Sequence, residues 1–159
     1  MERKKSTRQK ILDTARTLFN ESGYNSVSLR DIAKTVGISE GNLTYYFQKK
    51  ENLMEELLAN GVDSFPATPP QTLEKLDAMF LDLQQTVQKN LYFFLHYTQL
   101  SQISPKISQI QSARYRDMME RLNLALQNLH GVGLLRGENF PAEYENIVDT
   151  LYLLSLIHI

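Results

Sequence analysis

The chain predicts an all-α protein, on three observations. Apolar residues recur at helical spacing along nearly every segment, no runs of alternating polarity are bounded by turn pairs, and Pro or Gly punctuates the ends of the helical stretches. With 159 residues, 42% of them hydrophobic, five prolines and no cysteine, the chain can bury one or two modest cores without disulfides. The lack of cysteine removes thiolate zinc sites. The three histidines, His96, His130 and His158, have no metal-ligand spacing, so neither a metal nor a cofactor is expected. The first thirty residues are charged and amphipathic, without a signal-peptide core, and no apolar run reaches the roughly eighteen residues of a membrane span. A cytoplasmic protein without membrane contact is expected.

The elements follow in order. Thr7 to Ser22 predicts a first helix with Ile11, Leu12, Ala15, Leu18 and Phe19 on one face, ended by Gly23. Ser28 opens a second, with Leu29, Ile32, Ala33 and Val36 inward; Asp31 completes a capping box and Gly37 stops the helix. Ser39 caps a third, in which Leu43 and Phe47 point inward and Glu40, Gly41, Asn42, Thr44 and Tyr45 are left on exposed or partly exposed faces. Three short helices of this kind make a homeodomain-like helix-turn-helix, whose last helix is a candidate reader of base edges. A fourth helix, roughly Glu51 to Ser64, turns Leu53, Met54, Leu57 and Leu58 inward. The stretch PATPPQ then breaks the chain as a linker. Further helices are expected at about Thr72 to Leu100, Pro105 to Leu129 and from Pro141 onward. The division into domains is placed at 1–50 for the helix-turn-helix and 51–159 for a helical body.

Charge separates the same two regions. Residues 1 to 50 hold ten Lys and Arg against five Asp and Glu, a net of +5, whereas residues 51 to 159 carry a net of −6. A basic module on an acidic body suggests that only the N-terminal part seeks a polyanion, through phosphate neutralisation and counterion release. The run Arg3, Lys4, Lys5, Arg8, Lys10 is its densest part, and reads either as phosphate contacts or as a solvated terminus. Ser28, at a helix N-terminus, is placed for its hydroxyl or the adjacent amides to meet a phosphate.

The segment STRQKILDTARTLFNESGYNSVSLRDIAKTVGISEGNLTYYFQKKENLMEELL resembles the DNA-binding region of the TetR family of bacterial transcriptional regulators. The shared features are I-L-x-x-A-x-x-L-F in the first helix, G-Y, S-L-R-D-I-A, G-I-S, L-x-Y-Y-F and K-K-E-N-L, over about the first third of the chain. The resemblance implies a dimer that reads a near-palindromic stretch of double-stranded DNA and is released by a small-molecule inducer, most often as a repressor, with the fourth helix as mechanical link. It implies that Arg30 reaches a base, where an Arg can bind guanine O6 and N7, and that Glu40, Gly41 and Asn42 sit where sequence is read. There Asn can pair with adenine and Glu can accept from cytosine N4. Thr44 stands where many relatives carry Tyr, leaving a smaller methyl contact. Tyr45 and Tyr46, about a hundred degrees apart on the helix, differ in role: the resemblance gives Tyr46 a phosphate and Tyr45 a place nearer the groove. Lys50 matches a phosphate anchor, and Lys49 is a second candidate.

The resemblance also implies an inducer pocket in the body. Leu91 to Leu100 concentrates aromatics around a whole helix, so Tyr92, His96 and Tyr97, with Met118, are candidate pocket residues, against core packing as the alternative. Ile147, Val148, Leu151, Tyr152, Leu153, Leu154, Leu156, Ile157 and Ile159 form an apolar end without a polar cap. It reads as a dimer interface, as a truncation that leaves the body incomplete by one helix, or as both. No nucleophile–base spacing suggests an enzyme. A helical adaptor using the N-terminal unit for protein contact is the alternative class; salt-dependent duplex binding discriminates the two.

Overall fold

The computed structural model describes residues 5–61 and 68–157. Its described residues form helices joined by turns and loops, without strands, in the order α1 (Thr7–Ser22), α2 (Leu29–Val36), α3 (Glu40–Tyr46), α4 (Lys50–Gly61), α5 (Leu73–Lys89), α6 (Leu91–Leu95), α7 (Tyr97–Leu100), α8 (Pro105–Gly131) and α9 (Glu143–Ile157). Arg3 and Lys4 of the basic run, the stretch 62–67 with the expected end of the fourth helix and start of the linker, and His158 and Ile159 lie outside the described residues, as do the side chains from Leu151 to Ile157.

Packing gathers two compact units. The first joins the residues up to 61 with Asn90–Ile110. Its helices start and stop where local chemistry satisfies their end groups. Ser6 Oγ accepts from Gln9 N–H at the start of α1, and Gly23, at φ 75°, ends it by donating to the Phe19 carbonyl at 2.9 Å. At α2 the capping box is complete, and Gly37 takes the left-handed conformation at φ 80°. The inward stripes meet in one core: Ile11, Ala15 and Phe19 of α1, Ile32 and Ala33 of α2, Leu43 of α3, Phe47 after it, and Leu53, Met54, Leu57 and Leu58 of α4, all essentially inaccessible. Burial on this scale is the principal source of stability, at ~25 cal/mol per Å² of apolar surface removed from water.

The same core continues into Tyr92, Phe93, Leu100 and Ile107. The Phe19 ring contacts Tyr24 at 5.3 Å and Tyr92 at 5.8 Å between centroids. Glu55 of α4 holds the start of α8, accepting from Ser104 Oγ at 3.0 Å and from Lys106 Nζ at 3.0 Å, while Ser104 Oγ accepts from the Ile107 N–H. One continuous helix from Thr72 to Leu100 is not what forms. The chain breaks at buried Asn90, with φ −124° and ψ 38°, and again at His96. The freed end of α6 finds a partner far away in sequence, because Tyr92 N–H donates to Asn20 Oδ1 of α1 at 3.0 Å.

The second unit comprises the described residues 68–89 and those from Gln111 on. Its core is small: Met79 of α5, Leu122 of α8 and Val148 of α9, with Leu76, Met118, Met119 and Leu126 packed partly buried around them. A polar clasp closes the loop between α8 and α9. Buried Glu143 accepts from Arg136 through both oxygens, at 2.9 and 2.5 Å, and from the Asn139 N–H at 2.7 Å, while Tyr144 Oη donates to the Arg136 carbonyl. Of the expected apolar end, Val148 is buried and Ile147 is 42% exposed.

Candidate nucleic-acid interface

The candidate reading surface is built by α2, the turn at Gly37 and α3. Gly37 N–H and Ile38 N–H both return to the Ala33 carbonyl at 3.0 Å, which ends α2 sharply and sets the approach of α3. Ser39 Oγ then accepts from the Asn42 N–H at 3.1 Å. That bond uses Asn42's backbone and leaves its exposed side-chain amide for the surface. Leu43 and Phe47 anchor α3 in the core, so Glu40, Gly41, Thr44 and Tyr45 are turned outward together with Asn42. Tyr45 is 83% exposed and meets half-buried Tyr46 edge to face at 5.4 Å. Thr44 Oγ1 donates to the Glu40 carbonyl at 2.7 Å, so its hydroxyl proton is committed to the helix. A Cβ added at Gly41 would meet nothing within 4 Å. Internal packing therefore does not require glycine there. Arg30 is exposed on α2.

Two expected phosphate contacts sit in more committed surroundings than the sequence suggests. Ser28 Oγ donates to Asp31 Oδ2 at 2.5 Å and accepts from the Asp31 N–H at 3.2 Å, so its hydroxyl belongs to the cap. Those bonds from Ser28 hold the Asp31 carboxyl below its ordinary range. Lys50 Nζ donates to the carbonyls of Tyr24 and Val27, each at 2.8 Å, and lies 4.0 Å from the centre of the Tyr24 ring. Burial pulls its ammonium below the ordinary value, opposed by neighbouring Glu51. Lys49 is exposed.

The basic run is partly spent within the unit. Lys5 pairs with Asp13 at 2.7 Å, and Arg8 forms a two-pronged ion pair with Glu56 of α4 while stacking 4.6 Å from the centre of Phe47. Sequence reasoning gave no role to Asn20, Tyr24 or Glu56. Tyr24 was visible only as half of a G-Y pair, and the other two carry no local signal.

Of the four candidate pocket residues, Tyr92, His96 and Tyr97 belong to the first unit and Met118 to the second. Tyr92 is buried against Phe19, Tyr97 is half-buried edge-on to Phe93 at 5.4 Å, and Met118 packs on the core of the second unit. His96 lines a groove of about 280 Å³ with Tyr24, Asn25, Gln99, Leu100, Gln102 and Ile103, all within the first unit. Among the described residues, no cluster of His, Asp or Glu has metal-holding geometry, and no helix is long and apolar enough to cross a membrane.

A capped α2, a glycine turn and an α3 with its polar face outward, set on a basic three-helix unit, form a helix-turn-helix. Residues 11–57 match the family described as bacterial regulatory proteins, tetR family. The chain is 29% identical over 118 residues, 73% of this chain and 57% of the relative, to a probable HTH-type transcriptional regulator YttP from Bacillus subtilis. It is 34% identical over 83 residues, 48% of this chain and 40% of the relative, to the HTH-type transcriptional repressor KstR2 of Mycolicibacterium smegmatis. The chain thus spans about half the length of these curated relatives. The fold is similar to that of a TetR-family regulator from Marinobacter aquaeolei VT8, with a TM-score of 0.83 at 22% identity over 96% of this chain and 77% of that one. It also resembles AibR, solved with isovaleryl coenzyme A and operator DNA, with a TM-score of 0.68 at 19% identity over 95% of this chain and 84% of that one. These likenesses carry the all-α architecture expected from the sequence.

Proposed function

We propose that this protein is a ligand-responsive transcriptional regulator, a repressor that binds a near-palindromic operator as a dimer and is released by a small-molecule inducer. The observation that carries the reading is the exposed polar face of Arg30, Glu40, Asn42, Thr44 and Tyr45 on α2 and α3, held by the core that Ile32, Ala33, Leu43 and Phe47 enter. Asn42 is assigned to an adenine, Arg30 to a guanine, and Tyr46 with Lys49 to phosphates. Residues 1–50 are the reader, and residues 51–159 supply ligand binding and dimerisation. The protein acts in the cytoplasm, where operators are, and performs no catalysis.

The dimer supplies the spacing. In the simplest case two recognition helices lie about 34–36 Å apart, one helical turn of DNA. Exposed Leu124 of α8 and Ile147 of α9 are apolar surface that a second copy would cover. Release follows if the inducer prefers a state with a different spacing, and a coupling of ~1–3 kcal/mol changes occupancy by about one to two orders of magnitude. AibR, which is similar in fold, was solved with isovaleryl coenzyme A and operator DNA, and this supports the reading.

The test is selection of bound duplexes from a random library, with oligomeric state measured in the same buffer. A near-palindromic site bound by a dimer is the expected result. Weak, sequence-independent binding by a monomer would sink the reading.

A further inference from the structure

Lys49 and Lys50 are adjacent cations at the start of α4, and the structure treats them differently. The ammonium of Lys50 is enclosed on three sides, by the Tyr24 carbonyl, the Val27 carbonyl and the face of the Tyr24 ring. Those two carbonyls belong to the turn between Gly23, the end of α1, and Ser28, the N-cap of α2. The turn's own bond, Val27 N–H to the Tyr24 carbonyl, is long at 3.4 Å. Both Lys50 bonds, at 2.8 Å, are shorter than that one. Tyr24 is itself fixed by its ring contact with Phe19 at 5.3 Å.

The peptide plane between Val27 and Ser28 makes the tie consequential. A peptide group is planar, so orienting its carbonyl orients its N–H. Val27 C=O points to Lys50 Nζ, and on the other edge of the same plane Ser28 N–H donates to Asp31 Oδ2 at 2.9 Å, one half of the capping box. We infer that Lys50 is a positioning residue, one that sets the orientation of the α2 N-terminus and hence the reach of Arg30, while exposed Lys49 alone of the pair meets a phosphate. This rests on the DNA-binding reading for its consequence, though the clamp itself can be observed without DNA.

Amide hydrogen exchange on the free, full-length protein provides that observation. Lys50→Met removes both carbonyl bonds and the charge; Lys50→Arg keeps the charge but replaces a compact ammonium by a broad planar group that does not fit between two carbonyls and a ring. Exchange at Ser28 and Asp31 is expected to accelerate about tenfold or more in both variants, with α3 and α9 unchanged. If Lys50→Met does not fold, Lys50→Arg decides. On the selected operator, both Lys50 variants are expected to lose about tenfold in affinity, or more, with the wild-type salt slope, and to lose discrimination at the base that Arg30→Ala affects. Lys49→Gln is expected to flatten the slope by about one unit. Wild-type exchange at Ser28 and Asp31 in both variants, a Lys50→Met slope flattened by about one unit, or full affinity with Arg at position 50 would each overturn the assignment. Failure of the unaltered protein to bind any duplex would count against the repressor reading, and the exchange result would still decide the clamp.

Discussion

The two compact units hold themselves together by different means. The first is built on a continuous apolar core from α1 through α4 and on to Tyr92, Leu100 and Ile107, most of it inaccessible. The second has a small core around Met79, Leu122 and Val148, leaves Phe80, Leu81, Leu124 and Ile147 substantially exposed, and ties one loop with the Arg136–Glu143 clasp. The contrast suits the proposed roles. A reader must hold side chains in fixed register against a rigid helical target, whereas a body that responds to a ligand needs alternative packings of similar free energy.

The largest expected effect tests the cores directly. Phe19→Ala removes a ring that touches both Tyr24 and Tyr92 and should cost ~3–5 kcal/mol, while Leu122→Ala, at the edge of a small core, should fall near or below the ~2 kcal/mol lower end for such truncations. Urea unfolding of the two variants checks this; equal costs would erase the contrast. Next, Asn42→Ala should leave folding unchanged but lose ~1–3 kcal/mol of discrimination at one or two base positions, seen as a relaxed selected motif. Uniform loss on every sequence would instead make Asn42 a phosphate contact. A smaller effect is expected at Gly41. Because an added Cβ meets nothing, Gly41→Ala should raise the melting temperature, by up to ~1 kcal/mol of helix propensity. If operator affinity nevertheless falls, the glycine is there for the close approach of DNA.

The last prediction is confined to one loop of the second unit. The paired Arg136 holds the Glu143 carboxyl at about 2, against 4.5 ordinarily. A depressed carboxylate contributes stability that is present above its unfolded value and is lost as pH falls, here between about 4.5 and about 2. Asp13, Asp31 and Glu55 of the first unit are also lowered, chiefly by bonds from Lys5, Ser28 and Lys106 opposing burial where it acts, so acid weakens both units. Glu143→Gln isolates the clasp: the protection of the amides near 136–144, taken relative to their intrinsic exchange rates at each pH, should become nearly independent of pH in that window while the first unit keeps its acid response.

What was legible in the sequence was local. Ser28, Gly37 and Ser39 announce helix ends within three or four residues, and the stripes of α1, α2 and α3 fix which faces turn inward, so the reader and its outward face follow from the chain alone. What was not legible depends on residues distant in sequence. The break at Asn90 relies on Asn20, 72 residues from the amide it caps, and Lys50 finds its carbonyls 26 and 23 positions back. Nothing local to Lys50 in the sequence announces those acceptors. The aromatic run from Tyr92 to Tyr97 divides between buried core and half-buried positions, a distinction that periodicity could not make.

The first unit's core is assembled from two separate stretches of chain. A fragment ending at residue 61 would leave Phe19 and its neighbours without Tyr92, Leu100 and Ile107. The reader is therefore not a cassette. Chimeras that graft this N-terminal segment onto another regulator, whether made at the bench or by gene recombination, should fold only where the recipient's counterpart of residues 90–110 fits against the graft. On the proposed DNA-binding function, shuffling of operator preference would be limited by that second stretch as much as by α2 and α3.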